Sequence, residues 1–494
     1  MIEADRGPEG AGRAAANLAT GIKTIAVDLD WTLLKHDTLH EQVVRMAFMP
    51  RLLPGLLLSL AKGKAAAKSY CADHIVLDME SLHACEEVLE FLGEERANGS
   101  HIVLCTAADR RVAQAVVDFI GLFDEVIATQ DNLNLKGASK AKALQERFPQ
   151  GFIYAGDHEA DLSVWAASEG IVLVGAKPGT VRKARLLGKP IIAELRLLDS
   201  VGVSPRVWIK SMRVHHWSKN LLMFVPLVLA HSWFSIPIVV STILGFLLLL
   251  AVTSASYFIN DLADIDADRQ HATKRNRPIA SGALPLMHAL AFPLVVIPVA
   301  LVLAVLLNPW FALGLASYLV ITLSYSFGLK RIPLLDTLVI GVLFTTRLLM
   351  GVAFVGTALP IWLVTFSMFF FFSLAMAKRH AEIVRAATVG GASLASRGYQ
   401  VEDAPLTLTL GVGTALASLV ILVLYMVDEA FRVVGYSRPE FLWVITLFLS
   451  VWVGRVWLLT HRGSMNDDPV SFALRDRPSR ALALAIGACF LIAL

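Results

Sequence analysis

From residue 221 to residue 494 the chain repeats apolar runs of about 17–25 residues, the length that crosses the ~30 Å hydrocarbon core of a bilayer. A bilayer offers no water to backbone amides, so a spanning segment must satisfy its own hydrogen bonds. The runs fall near 221–235, 237–259, 286–307, 310–328, 334–356, 361–377, 406–427, 439–460 and 480–494, the last one short. They predict an all-α polytopic membrane bundle of about nine transmembrane helices within residues 206–494. The whole chain is 56% hydrophobic and 17% charged, whereas soluble domains hold about 45–50% and about 25%. That excess is confined to the second part. Residues 1–205 read as a mixed soluble region.

Orientation follows from the Lys and Arg of the loops. Residues 1–20 are Ala/Gly-rich and polar without an apolar h-region, so a flexible tail is expected there, no signal peptide, and a cytosolic N-terminal domain. The cytosolic loops are then Asn260–Pro285, Lys330–Pro333, Lys378–Pro405 and His461–Arg480. They hold Arg269, Lys274, Arg275, Arg277, Lys330, Arg331, Lys378, Arg379, Arg385, Arg397, Arg462, Arg475, Arg477 and Arg480. The opposite loops, around Asn308-Pro309 and Gly356–Pro360, are poor in both residues; Asp428–Arg438, with Arg432 and Arg438, is the exception. An inner (cytoplasmic) membrane location is expected, multi-pass, with the soluble domain and both acidic clusters described below on the cytosolic face. A net charge of +3 is too small to suggest nucleic acid as a partner. Cys71, Cys85, Cys105 and Cys489 show no CxxC or zinc spacing, so neither a disulfide framework nor a cysteine metal site is indicated.

In the soluble region Thr24–Val27, Ile102–Cys105, Phe152–Ala155 and Ile171–Val174 are short apolar runs bounded by polar or Gly residues. Helical patterns lie between them, as in Arg110–Phe119 and Ser139–Arg147. This alternation predicts a parallel, Rossmann-like α/β sheet within residues 21–200. Ligands of such sheets bind beyond the carboxyl ends of the strands, where Asp28, Thr106 and Asp157 are expected to converge. Residues 36–98 are mostly helical and read as a cap inserted over that site. Within it Met46–Leu60 is unusually apolar, either as cap core or as a membrane-facing patch.

Aspartates crowd in two places. One is Asp28-Leu29-Asp30-Trp31-Thr32, directly after Ile25-Ala26-Val27; the other is Asn260-Asp261-Leu262-Ala263-Asp264-Ile265-Asp266-Ala267-Asp268, at the end of an apolar span. Carboxylates packed so densely repel unless something positive sits among them, and Mg2+ with a phosphate is the usual answer. The first cluster is followed in order by Thr106, by Lys140 (Lys136 is the alternative lysine), and by Gly156-Asp157-x-x-x-Asp161. Together these motifs resemble the haloacid dehalogenase (HAD) phosphatases over about residues 22–190. A phosphate monoester needs a nucleophile, a proton for the leaving oxygen and positive charge for the phosphoryl group. The resemblance implies Asp28 as the nucleophile that forms an aspartyl-phosphate and Asp30 as general acid and base. It implies Thr106 and Lys140 on the phosphoryl oxygens, and Mg2+ on Asp28 and Asp157 with Asp161 in support. Trp31 departs from the pattern, because the family usually has Gly there. A P-type ion pump shares this fold, but it has Lys in place of Asp30 and inserts the domain between spans.

At about 100° per residue, Asn260, Asp261, Asp264 and Asp268 fall within an arc of roughly 100° on a helix, and Asp266 points away. Four oxygen-bearing side chains on one face suit Mg2+ bound to a diphosphate, and acids at a membrane are costly and usually functional. The NDxxDxxxD pattern after the second span resembles the UbiA superfamily of intramembrane prenyltransferases over about residues 206–494. The likeness extends to His216-Trp217-Ser218-Lys219-Asn220 and to Tyr325–Lys330. It implies helices around a central cavity, with the diphosphate at the cytosolic mouth. Users of prenyl diphosphates carry a second DxxxD after the sixth span, whereas this chain has Lys378-Arg379-His380-Ala381-Glu382. Cations cannot ligate a metal, but they bind phosphate directly. That loop, with Thr273-Lys274-Arg275-Asn276-Arg277-Pro278, is most similar to the decaprenyl-phosphate phosphoribosyltransferase branch. The branch implies phosphoribosyl diphosphate (PRPP) as donor, a polyprenyl phosphate as acceptor, and membrane lipids around the protein. Lys274, Arg275, Arg277, Lys330, Lys378 and Arg379 are then candidates for the donor's phosphates. Tyr325 is either a donor to a phosphate oxygen or an interfacial aromatic.

The expected function is Mg2+-dependent transfer of 5-phosphoribosyl from PRPP to a polyprenyl phosphate, with the HAD domain removing the 5-phosphate of the product. The alternative is prenyl transfer from a polyprenyl diphosphate to an aromatic or other small acceptor. A transporter with a regulatory HAD domain is the non-transferase reading, disfavoured by the lack of an internal repeat among the spans.

Overall fold

The computed structural model describes residues 24–129, 135–195, 203–356, 361–388, 397–427, 436–465 and 469–494. The expected tail over residues 1–20, and residues 428–435 of the loop that breaks the charge rule, lie outside the described residues. Two compact units result: residues 1–211 with 261–291, and residues 212–260 with 292–494. Residues 261–291, expected to go with the membrane part, thus pack with the N-terminal unit.

The N-terminal unit is built on a six-stranded parallel sheet in the order β3-β2-β1-β4-β5-β6. Its strands are β1 (Thr24–Val27), β2 (His101–Asp109), β3 (Glu125–Thr129), β4 (Ile153–Gly156), β5 (Gly170–Val174) and β6 (Ile191–Leu195). The central strands are apolar on both faces, as a sheet covered on both sides requires. Alternate residues serve opposite cores. Ile25, Val27, Ile102 and Leu104 face one, with Val88, Leu92, Val112 and Val116. Ala26, Val103, Cys105 and Tyr154 face the other, with Leu144, Val164 and Trp165. Strand order reverses between β1 and β4, and ligands of open α/β sheets bind beyond the strand ends at such a switch point. Asp28 follows β1 and Asp157 follows β4. Thr106, expected just past its strand, lies inside the longer β2, where the β2–β3 register shifts after Cys105.

Between β1 and β2 come α1 (Thr38–Ala47), α2 (Leu53–Lys62), α3 (Lys64–His74) and α4 (Glu86–Ala97). Helix α4 turns Val88, Phe91 and Leu92 into the sheet's core. Helix α1 is capped by Asp37, whose side chain accepts from the His40 amide. Its Glu41 is fully buried and accepts from Arg269 at 2.7 and 3.1 Å. Burial opposes the charge of Glu41, but the Arg269 guanidinium outweighs it and holds the carboxyl at about 2. Arg45 bonds Glu41 and also clasps Asp266. Asp266, expected to point away from the other acids of its motif, is therefore an anchor between α1 and the 261–291 segment. Helix α1 and that segment form one packed body inside this unit.

In the second unit seven helices among the described residues are long and apolar enough to cross a membrane. Six are α5 (Ile236–Ala263), α6 (Leu286–Leu307), α7 (Pro309–Phe327), α8 (Leu335–Val355), α9 (Ile361–Thr388) and α10 (Ala404–Tyr425). The seventh is α11 (Phe441–His461). One expected span is corrected. Residues 221–235 do not form one helix: a 3-10 segment Val214–Phe224 leads into the short helix Val225–Leu229 and the 3-10 turn Ser232–Phe234. His231 between them adopts φ +52, which breaks helical propagation. The terminal helix Arg477–Ala493 has 17 residues, about 25 Å at 1.5 Å per residue, at the lower limit of the lengths that cross a bilayer. Outward faces are apolar, as with Leu294, Val302 and Leu306, while the interior holds Phe344, Phe371, Met376 and Trp457. Hydroxyls stitch helices together inside: Thr345 with Ser367, and the Trp457 indole N–H to Ser373.

The buried Glu41–Arg269 pair yields a stability prediction. Arg269→Ala should cost about 3 kcal/mol, because the buried carboxylate loses its main partner and keeps only Arg45 and, 3.8 Å away, His36 beside it. The readout is proteolysis of the cap in the detergent-solubilised full chain, which should accelerate. The double change Glu41→Leu with Arg269→Met should restore most of the resistance; a single variant as resistant as wild type would show the pair to be dispensable.

Candidate active sites

The soluble site forms because β1 and β4 deliver their following residues to one place. One oxygen of Asp28 accepts from the Leu29 amide at 2.8 Å, and the other pairs with Lys140 Nζ at 2.9 Å. Lys140 is 3% exposed. Burial works against its charge, but Asp28 and Asp161 more than offset this and hold the ammonium above its usual range. Lys136, the alternative lysine, is exposed. Lys140 also donates to the Tyr154 hydroxyl at 2.8 Å, which donates in turn to Asp161 at 3.2 Å. Asp161 further accepts from the His158 amide at 3.0 Å. A Cβ on Gly156 would stand 2.7 Å from the Asp161 carboxylate, so this close approach needs glycine. Thr106 is fully buried; its oxygen accepts from the Ala108 amide at 3.0 Å, which leaves the hydroxyl proton to donate.

Asp28, Asp157 and Asp161 each present an oxygen, all within 4.8 Å of one another. Burial, then Asp161 and Asp28, push Asp157 up to about 8. Asp161 is raised as well, by burial and by Asp28. Three hard oxygen donors whose mutual repulsion Lys140 offsets only in part suit Mg2+. Asp30 stands apart from this trio and accepts from the Thr38 amide, the first of α1, at 2.8 Å. Burial, followed by Asp37, pushes it up to about 7. A carboxyl poised near neutrality can both give and take a proton.

Trp31 has φ +61. That left-handed conformation costs a residue with a Cβ roughly 1–2 kcal/mol, which explains why Gly is common at this point of the motif. The side chain borders a small cavity with His36, His40, Leu284 and Leu286. It does not line the recess of Asp30, which is bounded by Thr38, Gln42, Lys68 and Asp109.

The second acidic motif is divided. Helix α5 ends at Ala263, a second helix begins at Ile265, and Asp264 is the break, with φ −97 and ψ 14. The single helical face expected for the four residues is therefore interrupted. Asp261 and Asp268 nevertheless converge on one cationic atom, Arg277 Nη1, at 3.1 and 2.5 Å. Lys274 stands 3.9 Å from Asp268, and Arg275 is exposed. The two buried carboxylates are thus neutralised by one guanidinium, and among the described residues only Asp28, Asp157 and Asp161 bring three ligand oxygens within reach of one cation.

Within the membrane unit a cavity of about 300 Å³ is bordered by Asn260, Tyr257, Tyr318 and Tyr325. Arg213, Lys219, Arg347, Lys378 and Arg397 also line it, and no carboxylate does among the described residues. Arg347 is set by Asn220 Oδ1 at 2.8 Å and the Tyr318 hydroxyl at 2.9 Å. Tyr325 accepts from Arg397 at 2.6 Å. Lys378 lies at the cavity as its candidacy requires, whereas Arg379 and Lys330 are not among its lining. Arg379 is fully buried and engaged by Asp336 and Glu382. Asp336 is held in turn by the Tyr399 hydroxyl at 2.7 Å. Sequence reasoning missed Arg347, although an arginine in the middle of an apolar span was the available signal. Tyr154, Lys68 and Arg213 gave no comparable signal.

The model of the UbiA prenyltransferase family matches residues 221–477, and that of haloacid dehalogenase-like hydrolases matches residues 25–165. A protein of Sinorhizobium fredii named uncharacterized protein y4nM is 41% identical over 469 residues, covering 94% of this chain and 90% of its own. Nodulation protein NoeC of Azorhizobium caulinodans is 31% identical over 57% of this chain and 92% of its own length. The decaprenyl-phosphate phosphoribosyltransferase of Mycobacterium tuberculosis is 30% identical over 56% of this chain and 90% of its own. This chain is an integral membrane member of the UbiA prenyltransferase family with a haloacid dehalogenase-like domain ahead of its membrane part.

Proposed function

We propose that the membrane part transfers a 5-phosphoribosyl group from PRPP to a polyprenyl phosphate, and that the HAD-like domain is a phosphatase for the product. The observation that carries this reading is the cavity with five cations, Arg213, Lys219, Arg347, Lys378 and Arg397, and no carboxylate among its described lining. A prenyl diphosphate brings one diphosphate and a hydrocarbon. PRPP with a lipid phosphate brings a diphosphate, a 5-phosphate and the acceptor phosphate, and so calls for more positive charge than metal alone supplies. The phosphoribosyltransferase named among the relatives supports the same choice.

In this reaction an oxygen of the acceptor phosphate bonds to C1 of the ribose as the bond from C1 to the diphosphate breaks. The acceptor is already an anion, so no general base is required. Asn260, Asp261, Asp264 and Asp268 would hold Mg2+, which would neutralise charge on the departing diphosphate. Lys378 and Arg397 meet phosphate oxygens, Arg397 together with Tyr325. Arg379, which donates to the Tyr325 hydroxyl at 3.3 Å, is a positioning residue in this scheme.

The product keeps a 5-phosphate, a monoester. In the soluble site an Asp28 oxygen attacks phosphorus, Asp30 protonates the leaving ribose oxygen, and Thr106 and Lys140 bind the phosphoryl oxygens. Asp30 then takes a proton from the water that cleaves the aspartyl-phosphate. Mg2+ on Asp28, Asp157 and Asp161 would counter the charge of the phosphoryl group. Both sites face the cytosol in this scheme, and tethering raises the concentration of the second site at the first one's product.

Detergent-purified protein with Mg2+, radiolabelled PRPP and polyprenyl phosphate tests the scheme. Label should enter the lipid phase, should fall by about 10²-fold or more in Asp264→Ala, and should accumulate as phosphorylated lipid in Asp28→Asn. Transfer only from a prenyl diphosphate to an aromatic acceptor would overturn the donor assignment. The phosphatase should also lose activity as pH rises through about 7, because Asp30 must be protonated to assist the leaving group. Asp37→Asn removes a negative neighbour but keeps a helix cap, so that limb should move to lower pH; an unmoved limb would rule Asp30 out as the acid.

A further inference from the structure

Helix α2 presents its leucines on the side that a soluble domain would make polar. Pro54, Leu57, Leu58 and Ala61 recur at the i, i+3, i+4, i+7 spacing of one helical face, and all are exposed. Leu57 is 67% and Leu58 62% exposed, with Leu60 and Met49 about half exposed beside them. The opposite face buries Leu56 together with Ser59, whose hydroxyl is turned back to the Leu56 carbonyl at 2.8 Å. The helix therefore hides its one hydroxyl residue and displays its largest apolar side chains.

This face is held outward by tight packing behind it. Tyr70 of α3 donates to the Leu52 carbonyl at 3.2 Å, and its ring lies so close to Gly55 that a Cβ there would collide with the phenol. The hairpin cannot rotate its leucines inward without losing that contact. Charge around the face has one sign. No acidic residue occurs between Glu41 and Asp73, while Arg51, Lys62 and Lys64 are exposed at the edges of α2.

We propose that this face of the cap docks on the anionic lipid surface of the membrane in which the chain is embedded. Three observations select lipid as the occupant. The chain is an integral membrane protein, so a bilayer is always within its tether. Residues 38–47 and 50–62 together have the length and hydropathy of a span, yet they bend by 110°, a shape that lies in the interface instead of crossing it. The basic rim matches anionic headgroups, whereas a second copy would bring like-charged rims together. Lys68, in the recess of Asp30, rides on the adjoining α3, so docking would bring the phosphatase recess close to lipid-borne substrates. The docking itself depends on neither proposed reaction.

Full-length protein carrying Cys489→Ser and Leu58→Cys, labelled with an environment-sensitive dye, tests this in nanodiscs of phosphatidylcholine with or without phosphatidylglycerol. Leu186→Cys is the control, since Leu186 is 80% exposed in the same unit, remote in sequence from the hairpin. Dye at 58 should be quenched several-fold more by spin-labelled lipid than dye at 186, and should be shielded from iodide. Lys62→Gln with Lys64→Gln, or omission of phosphatidylglycerol, should weaken the lipid quenching. Free iodide access without lipid quenching would overturn the proposal, and so would shielding from both quenchers, which would mean that protein covers the face. Lipid quenching indifferent to those charges would overturn the headgroup assignment.

Discussion

Gathering charges of one sign in a medium of low polarity is expensive unless an opposite charge is brought in. Both candidate sites are built on that cost. Asp28, Asp157 and Asp161 crowd within one cation's reach, and Lys140 offsets only part of their repulsion. The membrane cavity is the mirror case, with arginines and lysines and no carboxylate in its described lining. One site suits a cation followed by a phosphoryl group, and the other suits polyanions. Phosphate chemistry is common to both in the proposed scheme.

The same constraint orders the surroundings. Where charge is buried without substrate, the chain supplies the partner itself: Arg269 for Glu41, Asp336 and Glu382 for Arg379, Arg277 for Asp261 and Asp268. Such pairs contribute little net stability compared with apolar packing, but losing one member is costly. In the N-terminal unit they make the segment bearing Asp261, Asp264 and Asp268 part of the body that holds Asp28 and Asp30. Thr38 at one end of α1 supports Asp30, while Glu41 and Arg45 further along hold Arg269 and Asp266.

Local chemistry was the legible part of the sequence. The α/β alternation, the order of the four soluble motifs and the positions of the long helices all follow from residue type and period. Lys140 was separable from Lys136 only by a fold that buries one and exposes the other. Tyr154 reads as an ordinary strand residue, and its bridge between Lys140 and Asp161 exists only once the helix Ala138–Arg147 packs on the sheet at β4. Trp31 stood out as a departure, but its left-handed backbone and its turn away from the Asp30 recess required coordinates. Helical periodicity failed at Asp264 because a side-chain arc assumes an unbroken helix. It failed again at 221–235, where hydropathy sees apolar content but not the reversal at His231. Loop charge counting treated Arg379 as available, whereas packing assigns it to Asp336; the same counting passed over Arg347 because it lies inside a span.

The central claim is that the membrane site reads a donor richer in phosphate than a prenyl diphosphate. Its most direct test is equilibrium binding of PRPP and of geranyl diphosphate to the full chain with Mg2+, compared at two salt concentrations. Tighter binding of PRPP, weakened about tenfold or more by Lys378→Met and by raised salt, is the predicted result. Equal or tighter binding of geranyl diphosphate, indifferent to Lys378, would contradict it.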